Sequence, residues 1–425
     1  MAGPHLTRLS LDHLRTVSLV LGFFAWEGVF AAMMGQSTWS HKYLIAAAIF
    51  AAACYRLMIL LLRGSASIYE TLSYLLFGLC TAVSIVSNTW VFPQDIRFWL
   101  PALYTISPIL LLPALSVFGI KEKHILDAII AVAIGASLLI VADQALQFDF
   151  MQVFVRADGL NVERKAVILK TETCLALVIL FARWGAKWGV MALWRLGAVC
   201  LLAFNLFIVT ESRLVMAAVV IALSITILFA FRGRTRVALL ALSGIAAAIL
   251  SPLIFDRFIQ QIISFGDTIQ QDMSATWRAK TFDYFYAYFQ QTNGLGFGVM
   301  SAGTEANNLV SWANHFGGLW LGSGTKYPLA LADIGILQAL VQFGYAGLLL
   351  VGMMTLIMSV NLFRSGMLQA RPDLFALGAL VVGYTLSPLP MNFFTLEWSG
   401  MAGNALWAVT AFSAVLNDKR SSTCA

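Results

Sequence analysis

Apolar residues in this chain fall into long unbroken runs separated by short polar breaks. Such runs lie near 16–36, 43–62, 71–92, 99–119, 125–145, 166–184, 188–209, 214–231, 237–255, 334–362, 373–391 and 395–416. Each is long enough to cross about 30 Å of hydrocarbon as a helix. Some are impure, with Pro108 and Pro113 inside the fourth and Lys170 and Glu172 inside the sixth. The pattern predicts an all-α polytopic membrane protein of about twelve transmembrane helices, with residues 1–425 forming a single membrane domain. Two stretches interrupt it, 146–165 and 256–332, the second lying between helices 9 and 10. Connections beyond about 15 residues with no structure of their own are uncommon and usually functional.

Composition agrees with that class. Hydrophobic residues make up 60% and charged residues 11%, with a mean hydropathy of +0.82, far more apolar surface than one soluble core could hide. Charge then orients the chain. Sixteen of the 27 basic residues lie in loops of one parity, among them Arg56, Arg63, Lys121, Lys123, Arg183, Arg195, Arg364 and Arg371. Short basic turns mark the cytoplasm, so the turn from Phe231 to Arg236 and the tail from Asp418 to Arg420 belong there. Both ends of the chain are then cytoplasmic and both long loops external. The opening, with His5, Arg8, His13 and Arg15, reads as a cytoplasmic leader into a retained helix, not a cleaved signal. Cys54, Cys80, Cys174, Cys200 and Cys424 show no paired spacing, so neither a disulfide framework nor a metal site is expected. No cofactor or nucleic-acid partner is expected either.

The large loop carries most of the candidate chemistry. Between Thr276 and Phe289, Phe282, Phe285 and Phe289 recur at helical spacing beside a polar face with Arg278 and Asp283. That is an aromatic amphipathic helix suited to the headgroup layer, with Lys280 and Tyr284 as further substrate contacts. Gly294, Gly296 and Gly298 follow in alternation, letting the backbone turn tightly or approach a ligand; the plain alternative is a connector. From Asn307 to Tyr327 the loop is rich in groups that stack on or hydrogen-bond sugars, with Trp312, Asn314, His315, Trp320 and Tyr327 as candidates.

Charges at helix ends add to this. The seventh run ends in Thr210-Glu211-Ser212-Arg213 and the eighth begins at once, which sets Arg213 near the external boundary. There it acts functionally, or it pairs with Glu211 and anchors the helix by snorkelling. Arg156 and Arg278 lie on the same face by topology. Several guanidinium groups at one lipid–water boundary suit a lipid-linked diphosphate, whose oxygens they bind in a bidentate manner.

The order of these parts resembles the bacterial O-antigen ligase and O-antigen polymerase superfamily (WaaL and Wzy). The matching pieces are Arg156-x-x-Gly159, Ser212-Arg213, and Arg278 opening a segment that leads to Gly294–Gly298. A last piece is Asp333-x-Gly335-x-Leu337-x-x-Leu340-x-x-x-Gly344-x-x-Gly347. The resemblance covers roughly 150–350. It implies a GT-C-like, metal-independent glycosyltransferase that moves a glycan from undecaprenyl diphosphate to a sugar hydroxyl of a lipid-linked repeat unit. Arg213 and Arg278 would stabilise the diphosphate leaving group, with Arg156 third. Asp333 would be the general base or merely a helix N-cap, with Glu211 and Glu305 in reserve. Ligases of the family carry a His-Asn pair where this chain has Ala332-Asp333, which favours a polymerase; His315 could fold back to replace the imidazole. The alternatives are a ligase that loads lipid A core and a flippase or exporter, although no internal repeat of the transporter kind is apparent. The resemblance further implies the bacterial inner membrane, surrounding lipids, and a chain-length regulator and flippase as partners.

Overall fold

A computed structural model describes residues 4–27, 29, 39–64, 66–93, 96–146, 155–158, 162–165, 169–186, 190–209, 213–254, 282–283, 285–299, 319–321, 325–327, 334–387, 391–395 and 400–423. Among the described residues each apolar run read from the sequence overlaps a helix, and parts of several runs lie outside those residues. In chain order these are α1 (Pro4–Trp26), α2 (Trp39–Arg63), α3 (Ile68–Val86), α4 (Ile96–Ala102), α5 (Leu111–Val117), α6 (Glu122–Leu146), α7 (Lys170–Ala186), α8 (Val190–Phe204), α9 (Arg213–Phe229), α10 (Gly233–Ile254), α11 (Leu337–Leu368), α12 (Pro372–Thr385) and α13 (Gly400–Thr423). Among the described residues five segments are long and apolar enough to cross a membrane: Lys42–Arg63, Ile68–Val91, Trp99–Val117, Glu122–Ala142 and Leu337–Leu368. Ala192–Phe207, Val215–Phe229, Pro372–Thr385 and Gly400–Leu416 are shorter apolar helices.

Irregularities have local causes. α4 and α5 are joined by a 3₁₀ stretch, Leu103–Leu110, that contains Pro108; proline lacks an N–H and its ring clashes with the preceding turn. α3 starts on a capping box, Ser67 with Glu70, and ends in a π turn, Ser87–Val91. Two antiparallel hairpins stand in the stretches read as loops, β1 (Val155–Asp158) with β2 (Val162–Lys165), and β3 (Leu319–Leu321) with β4 (Thr325–Tyr327). Strands of three or four residues are too short for a period-two pattern to reveal them.

Burial sorts the helices into a centre and a rim. Fourteen of the seventeen residues of α7 are buried, and α12 is buried on nearly every side, as befits helices that are apolar all round. Rim helices instead present leucines outward, such as Leu62 on α2, Leu193 on α8 and Leu349 on α11. Small residues let backbones come close: a Cβ on Gly366 of α11 would lie 2.6 Å from the Phe375 nitrogen, and one on Gly383 of α12 would overlap the Ala218 carbonyl of α9.

One end of the bundle is held by ion pairs. Arg371, in the turn between α11 and α12, reaches Glu122 at 2.8 Å and Asp373 at 2.8 Å. Asp373 also meets Arg183 of α7 at 3.1 Å, and Glu122 accepts from the Ser413 hydroxyl of α13 at 2.7 Å. Arg56 pairs with Glu70 at 2.7 Å. Removing one partner of such a set would leave a buried charge uncompensated, so the network ties α6, α7, α11, α12 and α13 together. We call this the basic end.

Candidate functional site

At the opposite end, α11 is broken at Gly344, whose backbone (φ 73°, ψ −171°) is not helical. A helix carbonyl normally accepts from the N–H four residues on, and the break removes that partner for the carbonyls before it. The glycine segment supplies replacements: the Phe297 N–H donates to the Val341 carbonyl at 3.1 Å and the Gly298 N–H to Gln342 at 2.7 Å. Gly294, Gly296 and Gly298 all have positive φ, at 83°, 94° and 74°. A Cβ on Gly296 would overlap the Gln342 carbonyl, one on Gly298 would lie 2.5 Å from the Ser84 Cα, and one on Gly344 would lie 2.5 Å from the Gly294 oxygen. The alternation therefore serves the approach of backbone to a broken helix.

The other side of the segment rests on α3. The Val299 N–H donates to the Ser84 hydroxyl at 2.9 Å, and the Asn88 amide donates to the Val299 carbonyl at 3.2 Å and the Ser84 carbonyl at 2.7 Å. Thr292 closes the turn by accepting from the Gly296 N–H at 2.9 Å. Helical residues 285–291 precede it, with Phe285 and Phe289 buried against Phe297, Ile334, Leu340 and Val341. Of the amphipathic helix expected over 276–289, Phe282, Asp283 and 285–289 are helical, and Phe285 and Phe289 pack on protein; residues 276–281 and 284 lie outside the described residues. Residues 296–299 are buried and their N–H groups are paired, as non-helical backbone requires where it lies at membrane depth.

Several helices stop short beside this junction. α12 has 14 residues, about 21 Å at about 1.5 Å each, against about 30 Å of hydrocarbon. Starting from the Arg183–Asp373 pair at the basic end, Tyr384 lies near Cys174 after about 14–17 Å of helix, and both helices end within about one turn. Residues 391–395 then run as bent chain before α13 begins. Their backbone is held by Asn392, which accepts from the Phe394 and Thr395 N–H groups at 3.1 and 3.2 Å, and by Asn404, which donates to the Phe394 and Gly400 carbonyls at 3.1 and 2.7 Å. α9 packs against α12 where Ala218 faces Gly383, and Arg213 heads α9 five residues, or about 7.5 Å, further out.

Of the residues singled out from sequence, Arg213 has a fixed place in the fold through its helix, while its side chain lies outside the described residues. Arg156 and Tyr327 stand on strands, opposite Arg164 and Leu319, and their side chains also lie outside. Arg278, Lys280, Tyr284, Glu211, Glu305, Trp312, Asn314, His315, Ala332 and Asp333 lie outside the described residues. Sequence reasoning gave no role to several buried polar groups at this end: Ser84 and Asn88 on α3, Gln338 and Gln342 on α11, and Glu172 on α7, the last noted only as an impurity of its apolar run. Gln338 donates to Gln342 at 2.8 Å. The usable sign was a carboxamide or carboxylate inside an apolar run, since polar groups at membrane depth are costly and mark function or pairing.

Comparison with known proteins adds one match. No curated protein matches the chain. Residues 198–352 match the family model described as O-Antigen ligase, a stretch that takes in Arg213, the glycine segment and the break in α11. The matched stretch is 155 of the chain's 425 residues, and it supports a relation to the O-antigen ligase and polymerase superfamily without assignment to either branch.

Proposed function

We propose that this chain is a membrane glycosyltransferase that lengthens a polysaccharide on the external face of the bacterial inner membrane. In this reading all twelve helical runs cross the bilayer in a GT-C-like arrangement, with both termini in the cytoplasm. A glycan passes from undecaprenyl diphosphate to a sugar hydroxyl of an incoming lipid-linked repeat unit, without a metal. The observation that carries the reading is one of position. The two landmarks of the matched stretch, the head of α9 with Arg213 and the glycine segment in the break of α11, both lie at the end away from the basic turns. No nucleotide sugar is available outside the cytoplasm, so a donor there must carry its own leaving group as a lipid diphosphate.

The main chemical demand is then to stabilise negative charge developing on that diphosphate. Guanidinium groups fixed in advance do this best in a site that excludes water. Arg213 and Arg278 take this role, with Arg156 beside them, and the aromatic and carboxamide groups of the large loop hold the sugars. Ala332-Asp333 in place of a His-Asn pair favours the polymerase. The description of the matching family as O-Antigen ligase supports the second reading, transfer to lipid A core.

The two are separated by giving the purified chain, in proteoliposomes, undecaprenyl-diphosphate-linked repeat units with and without lipid A core. A polymerase yields a ladder of lengthened lipid-linked glycan from repeat units alone. A ligase yields product only when the core is present. Unchanged repeat units in both mixtures would rule out the transferase reading.

A further inference from the structure

Four carboxylates are buried among the described residues, and three of them are satisfied at the basic end. Glu70 is held by Arg56 at 2.7 Å and by Ser67, Glu122 by Arg371 and Ser413, and Asp373 by Arg371 and Arg183. The fourth, Glu172, is the most deeply buried at 0% exposure. Apart from its own backbone N–H, neither of its oxygens has a hydrogen-bond partner among the described residues. Burying a carboxyl without donors is costly, and an apolar residue in a helix as enclosed as α7 would stabilise the fold better. The other three carboxylates explain themselves as structure. Glu172 does not.

Its position fits a chemical task. Glu172 stands in the first turn of α7, about 3 Å outward of Cys174, and Cys174 lies near Tyr384, close to the end of α12. α9, headed by Arg213, packs on the same α12 one residue away, at Gly383. α7 and α9 thus flank α12, and each carries its ionisable group outward of the level at which the helices meet. The entry to α7 is also strained. Leu169 precedes it with φ 66° although its side chain is branched and buried, and the Thr173 N–H and hydroxyl both donate to its carbonyl at 2.9 Å. Strain of this kind persists where the surroundings impose it, and it clusters at working sites.

We propose that Glu172 is the proton acceptor for the attacking sugar hydroxyl. The inference rests on the transferase reading above and deepens it, replacing Asp333 in that role. The acceptor oxygen bonds to the anomeric carbon of the donor glycan as the bond from that carbon to the diphosphate oxygen breaks, its electron pair leaving with the diphosphate. The hydroxyl proton passes to a Glu172 oxygen and is returned to water when the polyprenyl diphosphate departs. Unengaged oxygens are what such a step requires, because a carboxylate already gripped by arginine is a weaker base.

The test compares wild type, Glu172→Gln and Glu172→Asp as purified full-length protein in proteoliposomes. Three quantities are read: turnover of undecaprenyl-diphosphate-linked repeat units, the Kd for undecaprenyl diphosphate, and the melting temperature. Loss of a general base costs about 100-fold or more in turnover. Glu172→Gln should show that loss with an unchanged Kd and a melting temperature equal to or above wild type, and Glu172→Asp should keep part of the rate. Turnover near wild type in Glu172→Gln, a weakened Kd that accounts for the loss, or a lowered melting temperature would each overturn the assignment. An inert wild type would instead sink the transferase reading, and the assignment with it.

Discussion

Gly296→Ala is expected to abolish glycan transfer and to destabilise the outer end of the bundle, while Gly352→Ala in α11 leaves both intact. At Gly296 the backbone has φ 94° and a Cβ would overlap the Gln342 carbonyl, lying 2.7 Å from the Gly344 nitrogen as well. These are backbone atoms, which cannot swing aside as the tip of a side chain can. The unfavourable φ alone costs about 1–3 kcal/mol. Expelling the segment from the break would in addition leave the Val341 and Gln342 carbonyls without partners in an apolar setting, at several kcal/mol each. The same displacement would pull Val299 from Ser84 and Asn88. Misplacing a site by about 1 Å can cost about 100-fold in rate, and here a whole support is lost. Nothing lies within 4 Å of a Cβ on Gly352, and alanine is favoured over glycine in a helix by about 0.5–1 kcal/mol. Melting curves and polymer ladders for the two variants check the contrast; a well-folded, active Gly296→Ala protein would mean that the glycine segment does not occupy the break.

Arg213→Ala should have the second large effect. In the native host, long polysaccharide should collapse to single repeat units while the protein still inserts at normal levels. Removing one donor from a preorganised charge-stabilising site costs about 100- to 1,000-fold in turnover. Arg213→Lys keeps the charge but loses the planar fork that grips two phosphate oxygens, so it should recover only part of the activity. An anchor that merely snorkels to the interface would be replaced well by lysine. Full-length polymer in Arg213→Ala would remove Arg213 from the reaction.

Much of the architecture was written in the chain as hydrophobic period and charge. The apolar runs locate the helices, and the basic turns mark the end where Arg183, Arg371, Glu122 and Asp373 interlock. The glycines of 294–298 and of 344–347 were visible as motifs, but their purpose was not. Their meaning is mutual: positive φ in one segment answers a break in the other, and a single sequence does not say which segments meet. The aromatic helix was legible from the spacing of Phe285 and Phe289, yet only tertiary contact decides whether such a face meets lipid or Phe297 and Val341. Glu172 was legible only as an impurity in an apolar run. What sets it apart from Glu70, Glu122 and Asp373 is the absence of a described donor beyond its own N–H, a property of the fold around it.

The central claim is that the working end of the bundle faces outward, away from the basic turns. It is tested most directly by single cysteines at two exposed positions, Gln291 beside the glycine turn and Arg234 in the basic turn, labelled with a membrane-impermeant maleimide. The account predicts that Gln291→Cys is labelled in intact spheroplasts and Arg234→Cys only in inside-out vesicles, each measured above the unsubstituted chain. Labelling of Arg234→Cys from outside, with Gln291→Cys reached only from the cytoplasm, would contradict it.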